Sequence, residues 1–231
     1  MRHLRYILRP FFVALTISAV HAETVQKTVG STPLNLPVPP AFCTLDQNNL
    51  RDGLFIAVIT HLLQGTNKLV MTTADCAVLE KWRGGDNSAI QKYAIYYVPN
   101  AVENLTLPGE TASLRKGLCD EMRKQGQATM DKAKEIASQR TREMNVDVKI
   151  NDMTYIGVVD EDEHACYSAI LVRGVGTDSK PFAISGIITS TIIQAKPIFL
   201  ALYNPYEGEQ TVQNGVQKSK TIAADFESTN R

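Results

Sequence analysis

The spacing of apolar residues changes along the chain from a helical period to a strand period. Helical spacing recurs in the first 144 residues, and strand-like alternation begins at Val146. The predicted helices are residues 46 or 48 to 61, 76–83, 110–144 and 209–226. The predicted strands are residues 68–71, 91–98, 153–159, 165–173, 182–193 and 197–202. Short connections favour an antiparallel meander in the C-terminal half, so the predicted fold class is α+β, an antiparallel sheet flanked by helices.

The first predicted helix has recognisable ends. Asp46 or Asn48 is the expected N-cap, because short polar side chains accept hydrogen bonds from the first free amides of a helix. Leu50 and Leu54 are expected on its apolar face, and Gly65 is expected to end it.

The longest polar segment, residues 110–144, carries a narrow apolar stripe. Gly117 and Gly126 interrupt that stripe, so the segment predicts either one long, partly exposed helix or two broken ones. Its mixed charges are typical of a solvated helix face, which is favoured over a partner-binding surface.

The N-terminus has the composition of a secretory signal peptide. Arg2, Arg5 and Arg9 precede an apolar stretch at residues 11–20, and Ala22 stands at the expected cleavage position. The apolar stretch is short for a membrane span, so a cleaved signal is preferred over a retained anchor.

Cleavage after residue 22 divides the chain into a signal peptide at residues 1–22, an extended proline-rich leader at 23–40 and a single α+β domain at 41–231. It removes three arginines and no acidic residue, which leaves 21 basic residues against 24 acidic ones. This small negative charge offers no electrostatic basis for binding nucleic acid or an anionic membrane surface. We therefore expect a periplasmic or secreted protein without a stable transmembrane anchor.

All four cysteines follow the signal segment, and an even number in an oxidising compartment favours disulfides. Four cysteines allow three pairings. Cys43–Cys76 is the favoured first bridge and Cys119–Cys166 the second.

Cys76 also stands at a helix N-terminus, which lowers a thiol pKa and would suit a nucleophile. A catalytic thiol needs a base and an orienting group, yet its neighbours Thr73 and Asp75 are better explained as helix-capping residues. The structural bridge is therefore preferred.

The phrases YAIYYV, YIGVVDEDEHACYSAILV and FLALYNPYEG, in their order among the helices, resemble the Mog1/PsbP-like α/β/α sandwich group. Within that group the chain is similar to uncharacterised exported proteins of alphaproteobacteria. The group contains binding and assembly factors, so the resemblance implies a protein partner in the cell envelope. It implies no shared catalytic residues, and we expect no cofactor.

Asp160, Glu161, Asp162, Glu163 and His164 form the densest cluster of candidate ligands. Four carboxylates and an imidazole offer donors to a hard cation such as Ca²⁺. Consecutive residues of a turn point in different directions, however, and the spacing lacks the D-x-D-x-D-G loop pattern. A solvated hairpin turn that discourages edge pairing is preferred to a ligand or metal turn.

Only His61 and His164 remain for acid–base chemistry once the signal segment is removed. His61 lies on the apolar face of the first predicted helix, where a hydrogen-bonded boundary histidine is favoured over a catalytic base. A small secreted hydrolase that uses His61 or His164 with a nearby nucleophile is the alternative function.

Six aromatic residues are candidates for lining an apolar ligand cleft. They are Trp82, Tyr93, Tyr96, Tyr97, Tyr203 and Tyr206. Core packing is preferred, because aromatic side chains dominate ordinary cores. A small-ligand or metal-ion carrier is the third function that the sequence leaves open.

Common catalytic motifs are missing from the sequence. It contains no G-x-S-x-G, H-E-x-x-H, Walker, G-x-G-x-x-G or C-x-x-C motif. The leading hypothesis is therefore a non-catalytic, disulfide-bridged periplasmic protein that binds a partner or assists an envelope complex.

Overall fold

One seven-stranded antiparallel sheet forms the centre of the protein in the computed structural model, which describes residues 23–86, 90–144, 148–176 and 179–231. The strands are β1 (Thr24–Val29), β2 (Thr32–Pro37), β3 (Phe42–Thr44), β4 (Asn67–Asp75), β5 (Tyr93–Pro99), β6 (Lys149–Glu161), β7 (Cys166–Val175), β8 (Pro181–Ile193) and β9 (Lys196–Pro205). The helices are α1 (Leu50–Leu63), α2 (Cys76–Arg83), α3 (Thr111–Glu143) and α4 (Glu209–Ser228). The predicted signal peptide, residues 1–22, lies outside the described residues.

The strand order in the large sheet is β3-β4-β5-β9-β8-β7-β6, and every neighbouring pair is antiparallel. The four strands β6 to β9 follow one another as a meander, which confirms the predicted topology of the C-terminal half. The α+β fold class is confirmed as well. Among the described residues, no helix is long and apolar enough to cross a membrane.

The sheet buries both of its faces, as the alternation of side chains along β5 illustrates. Ile95 and Tyr97 pack with residues of α1 and α3, whereas Tyr96 and Val98 pack with the β1–β2 hairpin and α4. Successive side chains of a strand point to opposite faces, so α1 and α3 cover one face and the hairpin and α4 cover the other.

The proline-rich segment at residues 23–40 forms the β1–β2 hairpin. Leu34 and Leu36 are fully buried in the core on the α4 side of the sheet. The turn has Gly30 at φ +59°, and a Cβ there would lie 2.5 Å from the Glu103 carbonyl oxygen. Glycine suits this turn because it adopts positive φ without strain and fits the close approach.

Helix α1 differs from its prediction at its N-terminus. Asn49 caps it, accepting hydrogen bonds from the amides of Arg51 (3.1 Å) and Asp52 (3.2 Å), so the predicted caps Asp46 and Asn48 are wrong. The predicted apolar face is also wrong at Leu50, which is 80% exposed, and at Leu54, which is 58% exposed. The helix instead turns Phe55, Ile59, Leu62 and Leu63 toward the sheet.

Helix α3 is one continuous helix of 33 residues despite its two glycines. The Tyr155 ring of β6 lies against Gly126, where an added Cβ would come within 2.3 Å of it. The Tyr155 hydroxyl donates to the Met122 carbonyl at 3.1 Å. The glycine therefore allows α3 to approach the sheet closely at this point.

A buried ion pair joins α1 to α2. The Asp52 side chain is fully buried, and the Arg83 Nε donates to both of its carboxylate oxygens at 3.1 Å. The Asp46 backbone amide donates to the same carboxylate at 2.9 Å, and Arg83 Nη2 donates to the Thr44 carbonyl at 3.3 Å. The hydrogen bond to Asp52 raises the pKa of Arg83, although burial acts in the opposite direction. We call the Asp52–Arg83 ion pair and its backbone contacts the Asp52–Arg83 clip. It holds the chain segment that leads from β3 into α1.

Replacing Asp52 by asparagine is expected to lower the free energy of unfolding by roughly 1–3 kcal/mol, because charge-assisted hydrogen bonds are lost within a buried site. Urea denaturation measures the change. Asp131→Asn, on the exposed face of α3, is the control and should change stability by less than about 0.5 kcal/mol. Equal effects of the two substitutions would contradict a structural role for the clip.

Candidate functional site

The Cys43–Cys76 disulfide connects β3 to the first residue of α2, with its Cα atoms 4.9 Å apart. Asp75 caps that helix, accepting from the amides of Ala77 (3.2 Å) and Val78 (3.3 Å). Its hydrogen bond from Lys92 and these amide bonds hold the pKa of Asp75 below its usual value against the effect of burial. Asp75 therefore serves as a cap and an ion-pair partner.

The Cys119–Cys166 disulfide connects α3 to the start of β7, with its Cα atoms 5.4 Å apart. Both distances lie in the usual range for disulfides. These are the two pairs that the sequence favours, and none of the four cysteines is a free thiol. A hydrolase that used Cys76 as its nucleophile would need a free thiol, and in this structure Cys76 is in a disulfide.

The acidic segment Asp160 to His164 does not converge on a common point. Asp160 lies 2.7 Å from Lys220 Nζ, and Glu161 lies 2.6 Å from Arg123 Nη2. The hydrogen bond to Asp160 raises the pKa of Lys220. These two carboxylates belong to strand β6, and each extends to a different helix.

Asp162 stabilises the turn itself. Its carboxylate accepts hydrogen bonds from the amides of His164 (2.9 Å) and Ala165 (3.0 Å), and the Tyr167 hydroxyl lies 3.0 Å from it. The Glu163 side chain is 80% exposed. Within residues 23–86, 90–144, 148–176 and 179–231, no three His, Cys, Asp or Glu residues are arranged to hold a metal ion.

His164 takes part in an ion-pair cluster with α4. Its Nδ1 lies 2.8 Å from the Glu227 carboxylate, which also contacts Arg115 and Arg231, each at 3.4 Å. Burial acts to raise the pKa of Glu227, but the His164 hydrogen bond and the neighbouring positive charges together lower it. The cluster connects α3, the acidic turn and the C-terminus.

His61 lies at the opposite end of α3 from His164. Its Nε2 is 3.3 Å from a carboxylate oxygen of Glu143, whereas the His164 cluster includes Arg115. A helix rises 1.5 Å per residue, so these two contacts are about 40 Å apart along α3. The two histidines therefore do not share one catalytic site.

Most of the aromatic candidates pack inside the protein. Tyr93 stacks on Tyr203 with a centroid distance of 4.6 Å, and burial raises the pKa of both hydroxyls. Tyr96 is fully buried and donates to the Pro37 carbonyl at 2.6 Å. Tyr97, stacked on Phe199 at 5.4 Å, borders a cleft beneath α3, and Tyr206 lines a separate cleft beside α4.

A concave surface runs along the outer edge of β4. Strand β3 pairs only with the last three residues of β4, from Thr73 to Asp75. The Leu45 amide then donates to the Thr72 carbonyl at 3.1 Å, after which the chain turns away. In the described parts of the chain, no strand pairs with residues 67–71 of β4 on this side.

The resulting groove, which we call the β4 groove, has a volume of about 820 Å³. One wall is formed by α1 and the other by β1. Leu69 packs with the core beneath α1, and Val70 packs with the core beneath the hairpin. The lining residues include Val25 and Lys27 of β1, Ile56 and Thr60 of α1, the C-cap Gln64, and Lys68 to Thr72 of β4.

The chemistry of the β4 groove is mixed rather than strongly charged. Its charged residues are Lys27, Asp46 and Lys68, and Lys68 already pairs with Glu103 at 2.5 Å. Thr72 is 5% exposed, and its hydroxyl has no hydrogen-bond partner among the described residues. A buried hydroxyl without a partner costs roughly 1–3 kcal/mol, so an occupant that offers a hydrogen bond is favoured.

The other edge of the sheet has a different character. Strand β6 has three irregularities in its pairing with β7, between Ile150 and Asp152, between Tyr155 and Gly157, and between Val158 and Asp160. Bulges bend and twist an edge, which makes it a poor template for another strand. Strand β4 has one irregularity in its pairing with β5, between Leu69 and Met71, so β6 is the more irregular of the two edges.

Sequence reasoning did not identify the β4 groove. The predicted strand at residues 68–71 marked its floor, but no local pattern indicates which side of a strand stays unpaired. The chain leaves β3 beside the Asp52–Arg83 clip, which joins residues 31 positions apart.

Peptide mapping of the unreduced exported protein should recover peptides joined through Cys43–Cys76 and through Cys119–Cys166. Alkylation in denaturant without reductant should label none of the four cysteines. The chain-entropy model predicts a loss of about 4 kcal/mol for Cys43→Ala/Cys76→Ala, because that bridge closes a 33-residue loop. A labelled Cys76 in the unreduced protein would refute this arrangement.

The Glu227→Gln substitution should lower stability in a pH-dependent way. The pKa of Glu227 is lower in the folded protein than its ordinary value of 4.5. Its stabilising contribution is therefore present above pH 4.5 and is lost as the pH falls through the folded-state pKa. Denaturant titrations at several pH values should show that the difference in free energy of unfolding between the wild type and Glu227→Gln becomes smaller below pH 4.5. A difference in free energy of unfolding that does not change with pH would contradict the role of the Glu227 carboxylate.

Comparison with known proteins gives likenesses to solved structures, with six matching chains. No family model matches the sequence, and no curated protein matches it. The chain is similar to the solution structure of the PsbP protein CyanoP from Synechocystis sp. PCC 6803, with 11% identity and a TM-score of 0.34 over 94% of this chain and 98% of that one. A likeness at this level carries no inference about the site, and the architecture rests on the strands and helices of the chain itself.

Proposed function

We propose that this protein is a non-catalytic periplasmic or secreted protein that binds an extended segment of a partner protein along the outer edge of β4. The observation that carries the proposal is the unpaired edge of residues 67–71, which forms the floor of the β4 groove. An extended polypeptide can add a strand to such an edge through backbone hydrogen bonds.

The side walls of the β4 groove specify the occupant further. Successive side chains of an added strand point alternately toward α1, near Ile56 and Thr60, and toward β1, near Val25. The α1 wall combines apolar and uncharged polar groups, and the charged groups of the groove, Lys27, Lys68 and Asp46, include both signs. The expected partner segment is therefore extended, contains apolar residues and carries little net charge.

The remaining features support a binding role over the hydrolase alternative. His61 pairs with Glu143 and His164 pairs with Glu227, and all four cysteines are in disulfides. The disulfides and the predicted signal peptide at residues 1–22 support the proposed periplasmic or secreted location. A partner in an envelope complex is the proposed biological setting.

Filling the β4 groove should abolish partner binding. Thr60 is an exposed residue of the α1 wall, so Thr60→Trp places a bulky ring in the groove at little cost to the core. Ala57→Trp is the matched control, because Ala57 is also exposed on α1 but does not line the groove. A partner recovered from envelope extract by the wild type should also bind Ala57→Trp but should not bind Thr60→Trp.

Hydrogen exchange provides the direct measurement of the binding mode. Adding the purified partner should slow exchange of backbone amides within residues 67–72 of β4. Protection confined to another surface, or equal binding by both tryptophan variants, would contradict strand addition.

A further inference from the structure

A second concave site lies on the α1–α3 face of the sheet, beneath the N-terminal half of α3. It is a cleft of about 370 Å³, which we call the α3 cleft. This volume is at the small end of the range for ligand pockets. Helix α1 ends at Leu63 and contributes no residue to the lining of this cleft. The α3 cleft lies between α3 and the ends of β5 and β9, near Pro99 and Phe199.

The floor of the α3 cleft is aromatic. The rings of Tyr97 and Phe199 stack with a centroid distance of 5.4 Å and an interplanar angle of 17°. Both side chains are half-buried and line the cleft. A pair of nearly parallel rings offers a platform on which another planar group can pack.

The walls of the α3 cleft are mainly apolar and polarizable. Met122 and Met130 of α3 face Ile188 of β8, and Tyr155 borders the same space. The close approach of Tyr155 to Gly126 anchors α3 over this region. Methionine side chains adapt their shape to an occupant and pack favourably against aromatic rings.

Polar groups of the α3 cleft come from Asn67, Glu121, Gln125 and Thr129, three of which are exposed on α3. Glu121 is the charged residue among those that line the cleft. A carboxylate at the rim disfavours an anionic ligand, and the apolar walls disfavour a charged one of either sign.

We propose that the α3 cleft binds a small, uncharged, planar apolar molecule that stacks on Tyr97 and Phe199. This site is distinct from strand addition at β4, since the two surfaces share only Asn67 among their lining residues. Ligand binding at the cleft therefore does not depend on the proposed partner.

The test uses N-phenyl-1-naphthylamine, an uncharged planar molecule whose fluorescence rises in an apolar site. It should bind the wild type saturably. Gln125→Trp, which adds a large side chain at the exposed rim, should weaken binding by roughly tenfold or more. Lys124→Trp is the matched control, because Lys124 is exposed on α3 but does not line the cleft, and its affinity should equal that of the wild type.

Methyl NMR locates the bound molecule independently of affinity. The ring current of the naphthyl group should shift the methyl resonances of Met122 and Met130. The resonance of Met71, which packs in the core on the opposite face of the sheet, should stay unchanged. Absence of saturable binding, equal affinity of the two tryptophan variants, or shifts that omit Met122 and Met130 would overturn the proposal. Matching thermal unfolding of the two variants excludes a folding defect as the cause.

Discussion

The ion pair between the buried Asp52 and the more exposed Arg83 joins α1 to α2 beside the point where the chain leaves β3. The Asp52 carboxylate accepts the Asp46 amide at the point where the chain leaves β3. This contact lies between the end of the pairing of β3 with β4 and the start of α1, which forms one wall of the β4 groove. A charge buried to this extent is tolerated because its oxygens are satisfied by a guanidinium fork and a backbone amide.

The two disulfides reinforce different regions of the same sheet. Cys43–Cys76 holds the short strand β3 beside α2, close to the Asp52–Arg83 clip. Cys119–Cys166 holds α3 to β7 at the other side of the molecule. The disulfides thus hold α2 and α3 covalently to strands of the sheet. A framework held in this way loses less conformational entropy when a ligand or a strand is ordered on it.

The sequence predicted the local structure better than it predicted the surfaces. Helix α2 was predicted with both ends correct, because a capping aspartate precedes Cys76 and a glycine follows Arg83. The meander was predicted because alternating patterns with short connections have few topologies. The N-cap of α1 was misplaced by local ambiguity, since Asp46, Asn48 and Asn49 all suit that role.

The sequence could not predict that Leu50 and Leu54 are exposed, nor where the β4 groove and the α3 cleft lie, for a different reason. They depend on which elements meet across the fold, and pair contacts such as Asp52 with Arg83 leave no local periodicity. Tyr97 and Phe199 illustrate the same limit, because their stacking brings together residues of β5 and β9 that are about a hundred positions apart. The sequence identified Asp160 and Glu161 as adjacent candidate ligands, but their side chains extend to different helices.

The irregular pairing of β6 sets a limit on assembly. A sheet that accepts a strand at each edge can polymerise, since every added copy presents a new template. Here the bulges around Gly157 leave the far edge unsuited to this role. An added strand at β4 would consequently complete the sheet and terminate growth, giving a discrete complex of defined stoichiometry instead of a fibre.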